Sequence, residues 1–133
     1  MAKYTKGEAS EWAGENLRGQ WTTLMTPFTP DDELDEQGLR SNIRHIRELG
    51  TRGAGCTWGM GEFWSLTREE RLRVYDIVSD EAAGGWPIAA HVTHTSAREM
   101  LTLAGHAEAG VVFRWLLPEG EVGRPIFCVE KIV

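Results

Sequence analysis

The chain has 133 residues, 41% of them hydrophobic and 26% charged, the balance of one soluble globular domain with its own core. Fourteen basic against twenty acidic residues leave a net charge of −6, which argues against a nucleic-acid backbone as partner. No apolar stretch approaches the roughly 18 residues of a membrane span, so no membrane partner is expected. The first eight residues are polar and lack the apolar run of a secretory signal. Cys56 and Cys128 form neither a framework nor a metal spacing, which makes a reducing cytoplasm the expected location.

Residues 1–18 read as a partly helical lead-in ending at Arg18-Gly19. Residues 20–26 read as a strand, rich in Thr and apolar side chains and stopped by Pro27. Thr29-Pro30-Asp31-Asp32-Glu33 is turn chemistry. A helix is expected over 35–49, because Leu39, Ile43 and Ile46 recur at three- and four-residue spacing, with Gly50 at its C-terminus. A second strand of small residues, 53–57, runs into a glycine-rich loop over 58–64. Thr67 and Glu70 have capping-box spacing, so a second helix starts there, turns Leu72, Tyr75 and Val78 inward and stops near 84–85. Residues 87–91 form a short apolar third strand with Pro at its first position. Ser96 and Glu99 repeat the capping-box spacing and open a third helix, with Met100, Leu101 and Ala104 on its buried side, ending around 109–110. Residues 111–117 suit a fourth strand and 126–129 a further extended piece after a turn, with no fourth helix.

Strands alternating with helices in this way imply an α/β fold of parallel strands joined by right-handed crossovers. Chemistry in such sheets gathers where strands end and loops begin. Those positions here are Thr26-Pro27-Phe28, residues 57–62 and residues 91–95. In the loop, Gly59 and Gly61 permit close backbone approach, and amides ahead of a helix hold a carboxylate or phosphate; the plainer reading is a tight strand-to-helix turn. The loop lacks the third glycine of a dinucleotide fingerprint and the Gly-Lys-Thr/Ser ending of a P-loop. Glu62 suits a base or an acceptor of backbone N–H bonds. Trp58 and Trp64 suit an aromatic pocket or, better, packing between sheet and helices. His91 and His94 invite a metal, but no third ligand stands at a telling spacing, so ordinary loop histidines are favoured and no metal is expected.

Four segments together, Thr23-Leu24-Met25-Thr26-Pro27-Phe28, Gly61-Glu62-Phe63, Ser65-Leu66-Thr67-Arg68-Glu69-Glu70-Arg71 and His94-Thr95-Ser96-Ala97-Arg98-Glu99, resemble the dihydrodipicolinate synthase and N-acetylneuraminate lyase family. The resemblance runs from about residue 19 to 109 and is specific because all four match in order and at the family's separations. It implies part of an eight-stranded (β/α)8 TIM barrel, three to four βα units with an unclosed parallel sheet. It also implies a lyase, a class I aldolase or dehydratase. Such enzymes form a Schiff base between a lysine and pyruvate or another 2-oxo acid, require no cofactor and assemble as homo-oligomers. By residue matching, Gly59, Met60 and Gly61 stand where the family holds the substrate carboxylate, with Thr26 and Glu62 in support.

Two departures accompany the resemblance. The family's Thr-Thr pair is Gly59-Met60 here, which removes both hydroxyls and favours another 2-oxo acid or an aromatic substrate over the pyruvate and aspartate-semialdehyde pair. The family's fourth strand ends in Pro-Pro-Tyr-Tyr and its sixth carries the Schiff-base lysine. This chain has Leu116-Leu117-Pro118-Glu119-Gly120, and its three lysines, Lys3, Lys6 and Lys131, match no catalytic position. Residues 19–110 therefore read as the N-terminal portion of a barrel and 111–133 as a divergent tail, from a frameshifted or truncated frame or from a split protein. Such a chain is expected to be inactive alone. A non-catalytic module pairing with intact subunits is the alternative function, and a small metal-binding domain on His91 and His94 a third. An unclosed sheet is further expected to expose an apolar inner face, including parts of Trp21, Leu24 and Ile88, and to make the chain weakly stable and prone to associate.

Overall fold

Strand β1 (Trp21–Thr23) pairs in parallel with β2 (Gly53–Cys56), β2 with β3 (Ile88–Ala90), and β3 with β4 (Phe113–Leu116). A fifth strand, β5 (Ile126–Cys128), lies antiparallel to β4, so the sheet order is β1-β2-β3-β4-β5. This computed structural model describes residues 17–83 and 85–108, residues 8, 11, 14 and 15, and the strands β4 and β5 by their backbone. Most of the expected lead-in, the tail outside those two strands and all three lysines lie outside the described residues. The architecture is α/β, an unclosed sheet of parallel strands joined by helices, a partial TIM barrel. The extended piece expected over 126–129 is β5, and it pairs antiparallel.

Helices α1 (Glu36–Glu48), α2 (Arg68–Glu81) and α3 (Ala97–Glu108) fill the crossovers. Asp35 caps α1 by accepting from Gly38 N at 2.8 Å, and Gly50 follows it at φ 82°, where glycine avoids the Cβ penalty. Thr67 and Glu70 form the reciprocal capping box of α2, with Thr67 N donating to Glu70 Oε2 at 2.7 Å. At α3 only half of the expected box is made: Glu99 N donates to Ser96 Oγ at 3.4 Å, while the Glu99 carboxylate is held by Arg68 at 2.5 and 2.6 Å. Arg40, Arg44 and Arg47 tie α1 to the end of α2 through Asp80 and Glu81, and Arg73 forks onto Glu36.

The core lies between the sheet and the helices. Leu24, Ala54, Cys56, Ile88 and Ala90 meet Leu39 and Ile43 of α1, Val74, Ile77 and Val78 of α2, and Leu103, Ala104 and Ala107 of α3. Two expectations change here. Leu101 is exposed, because the buried stripe of α3 runs through 103, 104 and 107, with Met100 packed at its margin. Leu24 and Ile88 are buried at 1% exposure rather than open to water, since strand alternation places them on the helix side of the sheet. The opposite face carries Gly53 and Gly55 of β2, and indoles cover it. A Cβ at Gly53 would stand 2.7 Å from Trp21 Cη2 and 2.6 Å from Pro87 O, and one at Gly55 would stand 2.5 Å from Trp58 Cε2.

Glycine therefore has opposite meanings at two positions. Gly53→Ala forces the Pro87 carbonyl or the Trp21 ring to move, and a loss of about 1–3 kcal/mol in urea unfolding is expected. Gly105 is exposed on α3 with nothing near its would-be Cβ, so Gly105→Ala is expected to gain about 0.5–1 kcal/mol. Equal effects of the two substitutions would contradict this assignment of faces.

Candidate functional site

The ends of β1, β2 and β3 meet at one edge of the sheet, where two clusters form. In the first, Thr26 Oγ1 donates to Gly61 O at 2.9 Å, fixing the glycine loop against the end of β1. The loop is a single 3-10 turn, Gly59–Gly61, whose first bond runs from Gly61 N to Trp58 O at 3.0 Å. The amides of Gly59 and Met60 precede that bond, as the free donors at a helix start do. Gly61 is buried, and a Cβ on it would press at 3.0 Å on Leu24 O. Gly59, Met60 and Glu62 are exposed. Glu62 takes a left-handed backbone at φ 52°. Its main chain serves the loop: its N–H donates to Gly59 O at 3.0 Å and its carbonyl accepts from Ser65 N at 2.9 Å and Ser65 Oγ at 2.8 Å.

The second cluster centres on the backbone carbonyl of His91. It accepts from Thr57 Oγ1 at 3.0 Å, from Tyr75 OH at 2.8 Å and from Arg71 Nη2. Arg71 also donates from Nη1 to Thr93 O at 3.0 Å and from Nη2 to Tyr75 OH at 3.3 Å. Thr57 itself is buried at φ 53°, a left-handed conformation that a β-branched residue adopts only under constraint. Arg71 is 3% exposed and forms no ion pair among the described residues. Its Nη atoms donate to carbonyl oxygens and its Cζ lies 5.4 Å from the Phe63 ring, while its buried Nε has no partner among the described residues. Phe63 also packs edge-on against His91 at 4.4 Å. Beside this cluster, between α2 and α3, lies a cavity of about 240 Å³ lined in part by Phe63, Trp64, Arg71, Thr93 and His94.

The structure joins Thr26 to Gly61 and places Gly59, Met60 and Glu62 along the same turn. It separates Trp58 from Trp64: Trp58 lies on the sheet at Gly55, whereas Trp64 lines the cavity and packs on Phe63 at 5.2 Å. His94 Nδ1 accepts from Ser96 N at 3.0 Å, while the His91 ring meets Phe63 edge-on, and no group of three metal-ligating side chains occurs among the described residues. Sequence reasoning flags Thr57 only as part of the 57–62 segment and misses Arg71 and Tyr75 as site residues. The available signal was a charged residue on the buried stripe of α2, in line with Val74, Tyr75 and Val78.

Topology and site define a class, the partial (β/α) barrel with its loops gathered at the C-terminal ends of parallel strands. A sequence model of the dihydrodipicolinate synthetase family matches residues 16–112, and the chain belongs to that family. It is 38% identical over 92 residues to the 4-hydroxy-tetrahydrodipicolinate synthase of Methanothermobacter thermautotrophicus, covering 69% of this chain and 32% of that protein. It is 36% identical over 93 residues to the N-acetylneuraminate lyase of Citrobacter koseri, covering 70% and 31%. Among solved structures, it superposes on an E. coli K12 prophage protein of the family in complex with pyruvate, with TM-score 0.66 and 30% identity over 69% of this chain and 31% of that one. It also superposes on dihydrodipicolinate synthase from Aquifex aeolicus, with TM-score 0.69 and 28% identity over 73% and 33%. The chain thus spans about a third of the length of the relatives it matches. No described helix is long and apolar enough to cross a membrane.

Burial, with the Arg71 charge adding to it, pushes the His91 imidazole below its ordinary 6.5. The folded state therefore prefers neutral His91, while the unfolded chain binds a proton near 6.5. This contribution to stability is present above pH 6.5 and is lost as the pH falls through the lower folded value. His91→Gln is expected to flatten that part of a pH–stability profile measured by urea unfolding. An unchanged profile would count against the buried setting of the ring.

Proposed function

We propose that this chain is the N-terminal portion, residues 19–110, of a Schiff-base-forming 2-oxo-acid aldolase, lyase or dehydratase. In this reading Gly59, Met60 and Gly61 receive the substrate carboxylate, with Thr26 and Glu62 supporting them. The observation that carries it is the Thr26 Oγ1 to Gly61 O bond. That bond sets the amides of Gly59 and Met60 at the C-terminal edge of a parallel sheet, in a chain that belongs to a family with synthase and lyase members. Those amides form a short nest for an anion, and the imine itself needs a lysine. None of Lys3, Lys6 or Lys131 matches a catalytic position, so the chain by itself binds without turning over. The complete enzyme works in the cytoplasm as a homo-oligomer without metal or organic cofactor, and residues 111–133 diverge from the family's pattern although β4 within them still pairs in parallel with β3.

A second reading, a non-catalytic module that pairs with intact subunits, is favoured by one observation: β5 runs antiparallel to β4 and ends the parallel order through which a barrel grows. Co-purification of the chain with an intact family member is the outcome expected under this second reading.

Titrating the 15N-labelled chain with pyruvate tests the first reading. The Gly59 and Met60 amide resonances are expected to shift, and Thr26→Val to weaken the response several-fold. Borohydride added to the pyruvate mixture is expected to leave the chain unmodified. Static amides at millimolar pyruvate would contradict the carboxylate site; a reduced lysine adduct would contradict the absence of an imine lysine.

A further inference from the structure

The segment that carries the candidate carboxylate site hangs between two threonine hydroxyls. At its far end Thr26, just past β1, donates to Gly61 O at 2.9 Å. At its near end stands Thr57, whose bond has a more particular origin. The register of β2 on β3 pairs Cys56 with Ala90, and His91 N donates to Cys56 O at 3.2 Å. In a parallel ladder of this register the next bond would run from Trp58 N to His91 O. Thr57 instead turns left-handed, at φ 53°, and its own hydroxyl donates to His91 O at 3.0 Å. The side chain takes the acceptor that the main chain leaves.

That exchange accounts for the residue type. Glycine adopts a left-handed backbone freely, whereas a β-branched residue is held there only where its surroundings over-determine it. What threonine adds is the hydroxyl. Its single proton is committed to His91 O, and the residue is 1% exposed, so water does not compete for the bond. Tyr75 OH stands 3.4 Å from Thr57 Oγ1 and donates to the same carbonyl at 2.8 Å. Trp58 follows directly, its carbonyl accepts from Gly61 N at 3.0 Å, and Gly59 and Met60 lie between the two anchors. Main-chain amides hold an anion best when they are oriented beforehand, because ordering them on binding costs affinity.

We propose that Thr57 is a positioning residue of the candidate carboxylate site. Its hydroxyl, tethered to His91 O, pre-orients the Gly59 and Met60 amides while the buried side chain itself stays off the substrate. The proposal rests on the 2-oxo-acid reading above and deepens it.

Pyruvate titrations of the 15N-labelled full chain, read at the Gly59 and Met60 amides, test it beside urea unfolding of the same variants. Thr57→Val removes the hydroxyl and keeps the β-branch; Thr57→Gly removes it and accepts the left-handed backbone without strain. Both are expected to bind pyruvate about threefold to tenfold more weakly, as the loss of one hydrogen bond gives. Thr57→Ser keeps the hydroxyl and is expected to keep the affinity. Ile43→Val, in the core of α1, is expected to lower stability and leave the affinity unchanged. Where Thr57→Val does not fold, Thr57→Gly decides. Undiminished binding by the variants lacking the hydroxyl overturns the proposal and leaves the 2-oxo-acid reading standing. Equal weakening in Thr57→Ser or in Ile43→Val does the same, since affinity would then follow stability rather than the tether. An unsubstituted chain that binds no pyruvate overturns that reading and the proposal with it.

Discussion

One backbone carbonyl, that of His91, takes hydrogen bonds from three side chains that arrive from two directions. Thr57 comes from the end of β2, Arg71 and Tyr75 from the first two turns of α2. Thr57 is held left-handed, which costs on the order of 1–3 kcal/mol, and only its hydroxyl bond and the packing around it offset that cost. The guanidinium beneath them is buried without a carboxylate among the described residues, so removing its carbonyl acceptors would leave an uncompensated charge. These groups are satisfied together or not at all, which is what makes such a network rigid.

From that node the candidate loop inherits its position. Thr57 leads directly into Trp58, whose ring is flattened on Gly55, and from Trp58 the chain makes its single 3-10 turn before Thr26 pins it at Gly61. Left-handed residues bracket the turn, Thr57 before it and Glu62 after it. The glycines of β2 and the indoles over them replace the layers of branched side chains that fill an ordinary barrel interior. The apolar exposure expected at Leu24 and Ile88 does not arise, because both face the helices, while Trp21 on the opposite face stays partly exposed.

Much of this was legible in the sequence because it depends on local chemistry. The heptad-like spacing of Leu39, Ile43 and Ile46 announced α1, and Thr67 with Glu70 announced the start of α2, where the reciprocal box forms. The order of strands and helices, with four ordered segments resembling one family, fixed the architecture. Less local features were hidden. Leu101 looks as apolar as Leu103, and only the phase of the helix against the sheet separates them. Glu99 has capping-box spacing, but Arg68 from another helix takes its carboxylate. Arg71 reads as one more charge in a charged helix until the fold brings the His91 and Thr93 carbonyls beneath it, and no spacing rule predicts a backbone acceptor twenty residues away. The antiparallel pairing of β5 with β4 joins two strands close in sequence, where a turn followed by an extended piece was expected.

The central claim is that Thr57 and Arg71, from different elements, stabilise the chain through one shared acceptor. A double-mutant cycle on Thr57→Val and Arg71→Met, read by urea unfolding, tests it directly. The account predicts a coupling of about 1 kcal/mol or more between the two sites, as expected for groups in one hydrogen-bond network. Effects that add to within roughly 0.3 kcal/mol would contradict it and leave the ends of β2 and β3 independently held.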